Sequence, residues 1–251
     1  MKAIPSPSGL PIYHRGAPLE EGKLPAFFYF ALSGKDSLFL DPFNQPALFL
    51  ESYPLRTFSF TIPGHGEGLK NTEAMGFWAE KIEQGVNPLS SFLEKCLENI
   101  HFLIQNGIVD SERMAVGGLS RGGFIALHLA SRVPELSTVL GFAPLTTMAT
   151  IQEFNKIHNH LITQSLEIEK SLLVGKKVKF YIGNRDLRVG TDACYQFVRE
   201  LTDLNYEHQI RSPDVTLVIN PSIGHKGHGT PPSTFQEGAE WIASLLTAKA
   251  V

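Results

Sequence analysis

The sequence predicts an α/β fold with one mostly parallel sheet and helices on both of its faces. Short apolar segments alternate along the 251 residues with stretches in which apolar residues have helical spacing. Strands that are separated by helices need crossover connections, and such connections join parallel neighbours. No internal repeat, low-complexity tract or long linker divides the chain, so we predict a single domain over residues 1–251.

Six apolar segments are the predicted strands. Short runs of this kind are typical of strands that are buried in a sheet. They are Ala26–Leu32, Arg56–Ile62, Arg113–Val116, Ser137–Phe142, Lys177–Ile182 and Val215–Ile219.

Helical patterns lie between the predicted strands, and the clearest of them lies between Asn87 and Gly107. Apolar residues recur there at spacings of three and four, Asn87 suits the N-cap, and Pro88 suits the first turn. Gly107 suits the exit from the helix. The other predicted helices are a segment up to about Leu50 that Pro42 and Pro46 interrupt, Phe124–Ser131, Thr191–Leu204 and Thr234–Thr247.

One connection is unusually long. About 30 residues of helical character and mixed polarity separate the strand that ends at Phe142 from the strand that begins at Lys177. A compact domain rarely contains so long a connection without a function. We therefore predict that residues 145–175 form a small helical lid.

Composition excludes several classes of protein. Apolar residues make up 43% of the chain and charged residues 19%, and the net charge of −3 comes without a long basic run, so nucleic-acid binding is not expected. Cys96 and Cys194 lie far apart in helical segments, which predicts reduced core residues. The first nine residues contain no secretory apolar run, and no segment approaches the roughly 18 apolar residues of a membrane span. We expect a cytoplasmic protein.

The strongest functional pattern is the Gly-x-Ser-x-Gly run centred on Ser120. A predicted strand precedes it and a predicted helix follows, which is the context of a nucleophile elbow that exposes the serine hydroxyl at the end of a sheet. Gly118 and Gly122 would let the strand and the helix pass closely, where a Cβ would block them. The alternative is a glycine-rich phosphate-binding or packing turn, because the motif also occurs by chance.

A nucleophilic serine needs a base, and the base needs an acid that orients it. Functional groups of open α/β sheets gather beyond the carboxyl ends of the strands. Asp186 is the first carboxylate past the predicted strand Lys177–Ile182. The competing carboxylate, Asp192, is already expected as an acidic residue in the first turn of a helix.

Two histidines compete for the role of the base. His225 and His228 both lie in the glycine-rich loop after the last predicted strand. We predict His225, because it lies nearer to the strand end, where an anchored backbone holds a side chain in place. His228 remains open as the alternative.

The order Ser…Asp…His at strand ends resembles the α/β-hydrolase superfamily, and the resemblance covers about Leu24–Leu246. The run Val109–Gly123 is similar to the lead-in and elbow of prolyl-oligopeptidase-like and dienelactone-hydrolase-like members. Ile62–Glu67 resembles the Pro-Gly-His-Gly turn of many esterases. Tyr181–Val189 resembles the acid loop of the superfamily, and Pro221–His225 resembles the histidine loop.

The resemblance implies an oxyanion hole made of two backbone N–H groups. The first belongs to Arg121, which follows Ser120. The second comes from the loop after the strand Ala26–Leu32, where this chain has Leu-Ser-Gly-Lys in place of the His-Gly that is frequent in these hydrolases. We assign Lys35 as the second donor and Gly34 as the next choice.

The predicted function is therefore that of a serine hydrolase that cleaves a small carboxylic ester or thioester through an acyl-enzyme. Ser120 attacks, His225 moves the proton, Asp186 orients the imidazole, and no cofactor is needed. We expect no room for the amino-terminal propeller that gates the oligopeptidases, so a small peptidase or aminoacyl hydrolase is second. A non-catalytic hydrolase-like binding protein is the other alternative, although it has no need of all three side chains.

Two weaker patterns favour other chemistry. Gly64–Gly68 is similar to a glycine-rich dinucleotide loop, but its last glycine is wrongly spaced and no helix opens directly after it. The histidine pairs His158/His160 and His225/His228 lack third and fourth ligands at typical spacing. We predict neither a dinucleotide nor a metal.

Overall fold

The structure is a computed structural model, and it describes residues 3–66, 68–155 and 157–248. Within them, seven strands form one sheet. They are β1 Tyr13–Gly16, β2 Leu24–Phe30, β3 Arg56–Ser59, β4 Val109–Leu119, β5 Leu136–Phe142, β6 Lys177–Gly183 and β7 Val215–Asn220. Their order is β1-β3-β2-β4-β5-β6-β7, and β1 alone runs antiparallel to its neighbour. The predicted, mostly parallel sheet is confirmed.

Helices lie between these strands and after the last one. They are α1 Gly34–Phe39, α2 Gln45–Leu50, α3 Ala74–Glu83, α4 Ser90–Gln105, α5 Arg121–Ala130, α6 His160–Ser165, α7 Thr191–Glu207 and α8 Pro232–Leu246. Short 3-10 helices lie at Leu19–Glu21, Met148–Thr150, Gln152–Phe154, Lys170–Leu173 and His225–Gly227. All six predicted strands are present, and β1 and α3 are additions to the prediction.

The core lies on both faces of the sheet, as predicted. Along β2, Phe28 and Phe30 pack on one face with residues of α4 and α5, whereas Phe27 and Tyr29 pack on the other face with residues of α8. All four aromatic side chains are fully buried. Central parallel strands are covered on both sides, which explains why their sequences are continuously apolar rather than alternating.

The signals predicted for the ends of α4 are present in part: the helix begins at Ser90 with Leu89 at the N-cap position, so Asn87 and Pro88 lie just before it. Asn87 Oδ1 accepts hydrogen bonds from the backbone N–H groups of Leu89 and Ser90, at 2.8 and 3.2 Å. Gly107 follows the helix with a φ of +66°, which is the left-handed conformation typical of a helix exit.

Cys96 in α4 and Cys194 in α7 are both buried and free.

Residues 145–175 contain α6 and three of the 3-10 helices, as their helical character predicted. Leu145, Met148 and Leu173 anchor both ends of the segment in the core, whereas Leu161 in its middle is 79% exposed. Lys156 lies outside the described residues, and the role of the segment as a lid stays a prediction.

No helix in the described parts of the chain is both long and apolar enough to cross a membrane.

Candidate active site

Ser120 lies in the turn between β4 and α5, at the carboxyl end of a central strand. Its φ of 56° and ψ of −119° are unusual for a residue with a side chain. The turn is held on both sides: the Ser120 N–H donates to the carbonyl of Phe142 at 2.9 Å, and its carbonyl accepts from the N–H of Leu145 at 3.0 Å. Strained backbone of this kind persists where neighbouring structure enforces it, frequently at functional sites.

The two glycines of the motif are required by close packing. A Cβ on Gly118 would lie 2.1 Å from the carbonyl carbon of Gly122. A Cβ on Gly122 would lie 1.8 Å from the carbonyl oxygen of Phe30, in β2. The strand, the helix and the neighbouring strand therefore meet here at a distance that only glycine permits.

The acid loop after β6 orients Asp186. The carboxylate is buried, and its Oδ1 accepts hydrogen bonds from the N–H groups of Arg188 and Val189, at 2.8 and 3.0 Å. The Asp186 N–H donates to Thr191 Oγ1 at 2.9 Å. Asp192, the competing carboxylate, is exposed in the first turn of α7.

The histidine loop after β7 is held by the acid loop. Arg185 N–H donates to Ser222 Oγ at 2.6 Å, and Leu187 N–H donates to the carbonyl of Lys226 at 2.9 Å. A Cβ on Gly227 would lie 2.1 Å from the carbonyl oxygen of Arg185. The residue that follows, His228, is thereby fixed next to the acid loop.

His228 connects the acid to the serine. Its Nδ1 lies 2.7 Å from Asp186 Oδ2, and its Nε2 lies 2.8 Å from Ser120 Oγ. Because a carboxylate only accepts, we assign the ring proton to Nδ1, which leaves the Nε2 lone pair for the serine hydroxyl. The Asp186 side chain is fully buried, whereas that of His228 is 20% exposed. This arrangement is able to activate the serine for attack.

The structure brings His228, and not the predicted His225, to Ser120 and Asp186. His225 is exposed, and its ring forms no hydrogen bond within the described residues. His225 begins a 3-10 turn in which Lys226 has a φ of 55°, so the loop changes direction before His228. Of the three side chains that the sequence analysis assigned, the structure brings together Ser120 and Asp186, with His228 in the place given to His225.

Solved structures match this architecture over nearly the whole chain, although no protein-family model matches it. TT1662 from Thermus thermophilus aligns with a TM-score of 0.70 at 15% identity, and the match covers 99% of this chain and 98% of TT1662. Est1E from Butyrivibrio proteoclasticus, solved with bound ferulic acid, aligns with a TM-score of 0.66 at 13% identity and covers 99% and 100%. Pyrococcus horikoshii acylaminoacyl peptidase aligns with a TM-score of 0.68 at 14% identity and covers 100% and 42%. The chain has the α/β-hydrolase fold.

Curated relatives of this chain are distant and longer. Acylamino-acid-releasing enzyme 1 of Oryza sativa subsp. japonica is 23% identical over 189 residues, which are 65% of this chain and 23% of that enzyme. Enzyme 2 of the same organism is 22% identical over 235 residues, or 78% and 29%. The chain spans less than a third of the length of these relatives. The fold that the predicted resemblance implied is confirmed.

Backbone N–H groups that have no acceptor within the described residues lie near the elbow and in the connection from β2 into α1. They include those of Arg121, at the start of α5, and of Ser33 and Lys35 in that connection. Gly34, the second choice of the sequence analysis, is engaged, because its N–H donates to Thr61 Oγ1 at 3.0 Å. Lys35 therefore stays available as an oxyanion donor, and Ser33 joins it.

The Arg121 side chain lies next to the elbow and is half-buried. Its Nη2 donates to the carbonyl of Asn71 at 3.3 Å, and its Nη1 is buried without a partner in the described residues. Burial, and then the charge of Arg188, lower the pKa of Arg121 to about 10. Arg188 itself donates from both terminal nitrogens to Glu153, each at 2.7 Å.

His65, in the turn after β3, shares a neighbour with Arg121. Its Nδ1 lies 3.1 Å from Asn71 Oδ1, and its Nε2 is buried without a partner in the described residues. Burial, and then the charge of Arg121, lower the pKa of His65 to about 4, so the ring is neutral at neutral pH. Glu67 of the same turn lies outside the described residues.

Sequence reasoning assigned no role to several residues around the elbow. The Pro-Gly-His-Gly resemblance pointed to the His65 turn, and the acid-loop resemblance included Arg188, but neither pattern indicates a pairing with residues far along the chain. The unassigned residues are His65, Asn71, Glu153 and Arg188. In the described parts of the chain, no three His, Cys, Asp or Glu side chains group in a way that could hold a metal ion.

Proposed function

We propose that this α/β-hydrolase is a serine hydrolase that works by acyl transfer. The proposal rests on one observation: His228 joins the buried carboxylate of Asp186 to the hydroxyl of Ser120 through contacts of 2.7 and 2.8 Å. A serine hydroxyl is a weak nucleophile at neutral pH, and a base that an acid orients is what activates it.

The reaction proceeds in two halves. Ser120 Oγ attacks the carbonyl carbon while its proton moves to His228 Nε2, and the oxyanion accepts hydrogen bonds from the N–H of Arg121 and from that of Lys35 or Ser33. The leaving group departs with the proton from His228, and an acyl-enzyme remains. Water then attacks with His228 as the base, which releases the acid and restores Ser120. Each oxyanion donor is worth about 3 kcal/mol.

The proposed substrate is a small carboxylic ester or thioester. Est1E, which was solved with bound ferulic acid, supports this choice, because the structural match covers 99% of this chain and 100% of Est1E. A small peptidase or aminoacyl hydrolase is the second candidate, because the curated relatives are acylamino-acid-releasing enzymes. No step needs a cofactor. The two free, buried cysteines accord with the cytoplasmic location expected from the sequence, which stays a prediction.

The test is a series of p-nitrophenyl esters of increasing acyl length, assayed beside aminoacyl p-nitroanilides, with the wild-type protein and Ser120→Ala. We expect the wild type to prefer esters and Ser120→Ala to lose at least ~10³ in kcat while it keeps the wild-type melting temperature. A variant that retains half of the wild-type kcat would exclude the serine mechanism. A wild-type protein that turns over neither class and does not react with a fluorophosphonate is the non-catalytic alternative.

A further inference from the structure

The proposed mechanism uses the backbone N–H of Arg121 and leaves its guanidinium without a role. A guanidinium offers five N–H donors in a planar fork. Here Nη1 is buried without a partner in the described residues, and Nη2 makes one long hydrogen bond, 3.3 Å, to the carbonyl of Asn71. Most of the donor capacity of the Arg121 side chain is therefore not used by the part of the protein that the structure describes.

Among the described residues, no carboxylate forms a hydrogen bond or an ion pair with this guanidinium. Glu153 lies near Arg121 but accepts both terminal nitrogens of Arg188, each at 2.7 Å. Asp186, the carboxylate near Arg188, holds the ring of His228. Glu153 is thus near enough to stabilise the charge of Arg121, but its two oxygens are paired with Arg188, so among the described residues Arg121 has no ion pair of its own.

His65 adds a polar atom but no charge. The same residue, Asn71, contacts His65 through its side chain and Arg121 through its backbone. The ring of His65 is neutral at neutral pH, and its Nε2, like Nη1 of Arg121, is buried without a partner in the described residues. His65 and Arg121 therefore both contact Asn71, and each has one further nitrogen without a partner in the described residues.

A half-buried guanidinium with an unpartnered nitrogen among the described residues gains from a ligand that supplies a carboxylate to it. Arginine matches a carboxylate particularly well, because its fork donates two parallel hydrogen bonds to the two oxygens. We propose that Arg121 is a specificity residue whose guanidinium binds a carboxylate on the substrate, a few atoms from the scissile carbonyl. The inference rests on the proposed function and narrows its substrate class to anionic esters.

Matched substrate pairs test this proposal on either side of the scissile bond. Mono-p-nitrophenyl glutarate and p-nitrophenyl pentanoate differ by a carboxylate on the acyl group. Free 4-acetoxybenzoate and its methyl ester differ by a carboxylate on the leaving group. The measured quantity is the ratio of kcat/KM for the charged ester to that for the neutral ester, after the uncatalysed rate has been subtracted.

We expect a wild-type ratio above 10 for one of the two pairs, and a fall of about 30-fold or more in Arg121→Met. Arg121→Lys keeps the charge but loses the fork, so its ratio should lie between the two. The control is Lys70→Met, which removes an exposed cation one residue from Asn71 and should leave the ratio unchanged.

The inference is overturned if Arg121→Met lowers both members of each pair equally, or if neither wild-type ratio exceeds one. In both cases ester hydrolysis persists and the proposed function stands. Failure of the proposed function looks different, because the wild type would then hydrolyse no member of either pair and would not react with a fluorophosphonate.

Discussion

His228 Nε2 lies 2.8 Å from Ser120 Oγ, although 108 positions of the sequence separate the two residues. The contact depends on the acid loop, because Leu187 donates to the carbonyl of Lys226 at 2.9 Å and Gly227 packs on the carbonyl of Arg185. The base is thus positioned by the loop that carries its own acid, and a change in one loop is expected to disturb the other.

Replacing the acid should impair turnover and leave the fold intact. In Asp186→Asn the imidazole loses the partner that fixes its tautomer, so we expect kcat for the preferred ester to fall by roughly 10³–10⁴. Asp192→Asn, which changes an exposed carboxylate in the first turn of α7, should stay within a few-fold of wild type. Steady-state kinetics measure kcat for both variants. A larger loss of kcat in Asp192→Asn than in Asp186→Asn would mean that Asp186 does not orient His228.

Packing predicts opposite effects on stability for a glycine-to-alanine change in the elbow and one in α3. A Cβ on Gly122 would lie 1.8 Å from the backbone of Phe30, so Gly122→Ala should lower the free energy of unfolding by about 3 kcal/mol or more. A Cβ on Gly76, inside α3, meets no atom within 4 Å, so Gly76→Ala should raise it by roughly 0.5–1 kcal/mol. Urea unfolding measures both values. A Gly122→Ala protein as stable as wild type would refute the close approach of α5 to β2.

Buried His128 predicts a loss of stability in acid. Burial, and then the charge of Arg132, lower the pKa of His128 to about 4, and its Nε2 lies 3.0 Å from the carbonyl of Leu166. The unfolded chain takes up this proton near pH 6.5 and the folded chain near pH 4, so stability falls as pH drops between those values, by ~3 kcal/mol in total. His128→Gln should remove that part of the pH dependence. An identical slope in both proteins would show that His128 does not titrate in this way.

Much of the fold could be predicted from the sequence, because a central parallel strand such as β2 is covered on both faces and is therefore continuously apolar. β1 could not be predicted in this way. It is a four-residue edge strand of Tyr, His, Arg and Gly, all half-buried, and its place depends on pairing with β3. The end of β3 at Ser59, before the predicted Ile62, likewise depends on where its neighbours stop.

The site likewise contains residues that local rules place and a residue whose place depends on contacts far along the chain. Ser120 and Asp186 could be located because local rules place them, the first between two obligatory glycines and the second directly past a strand. The choice between His225 and His228 depends on the left-handed backbone of Lys226 and on a hydrogen bond to the acid loop, 39 positions away. Position relative to β7 carries no information about either constraint. The hydroxyl of Thr61 similarly engages the N–H of Gly34 from another strand's end.

The most direct test of the account measures the rate at which a fluorophosphonate modifies Ser120, mapped by peptide mass spectrometry, in the wild type, His225→Ala and His228→Ala. Melting temperatures control for folding. We predict that the wild type and His225→Ala react at Ser120 at rates within about threefold of each other, whereas His228→Ala reacts at least ~10² more slowly. A slow His225→Ala beside a His228→Ala that reacts at the wild-type rate, or modification of a residue other than Ser120, would contradict the account.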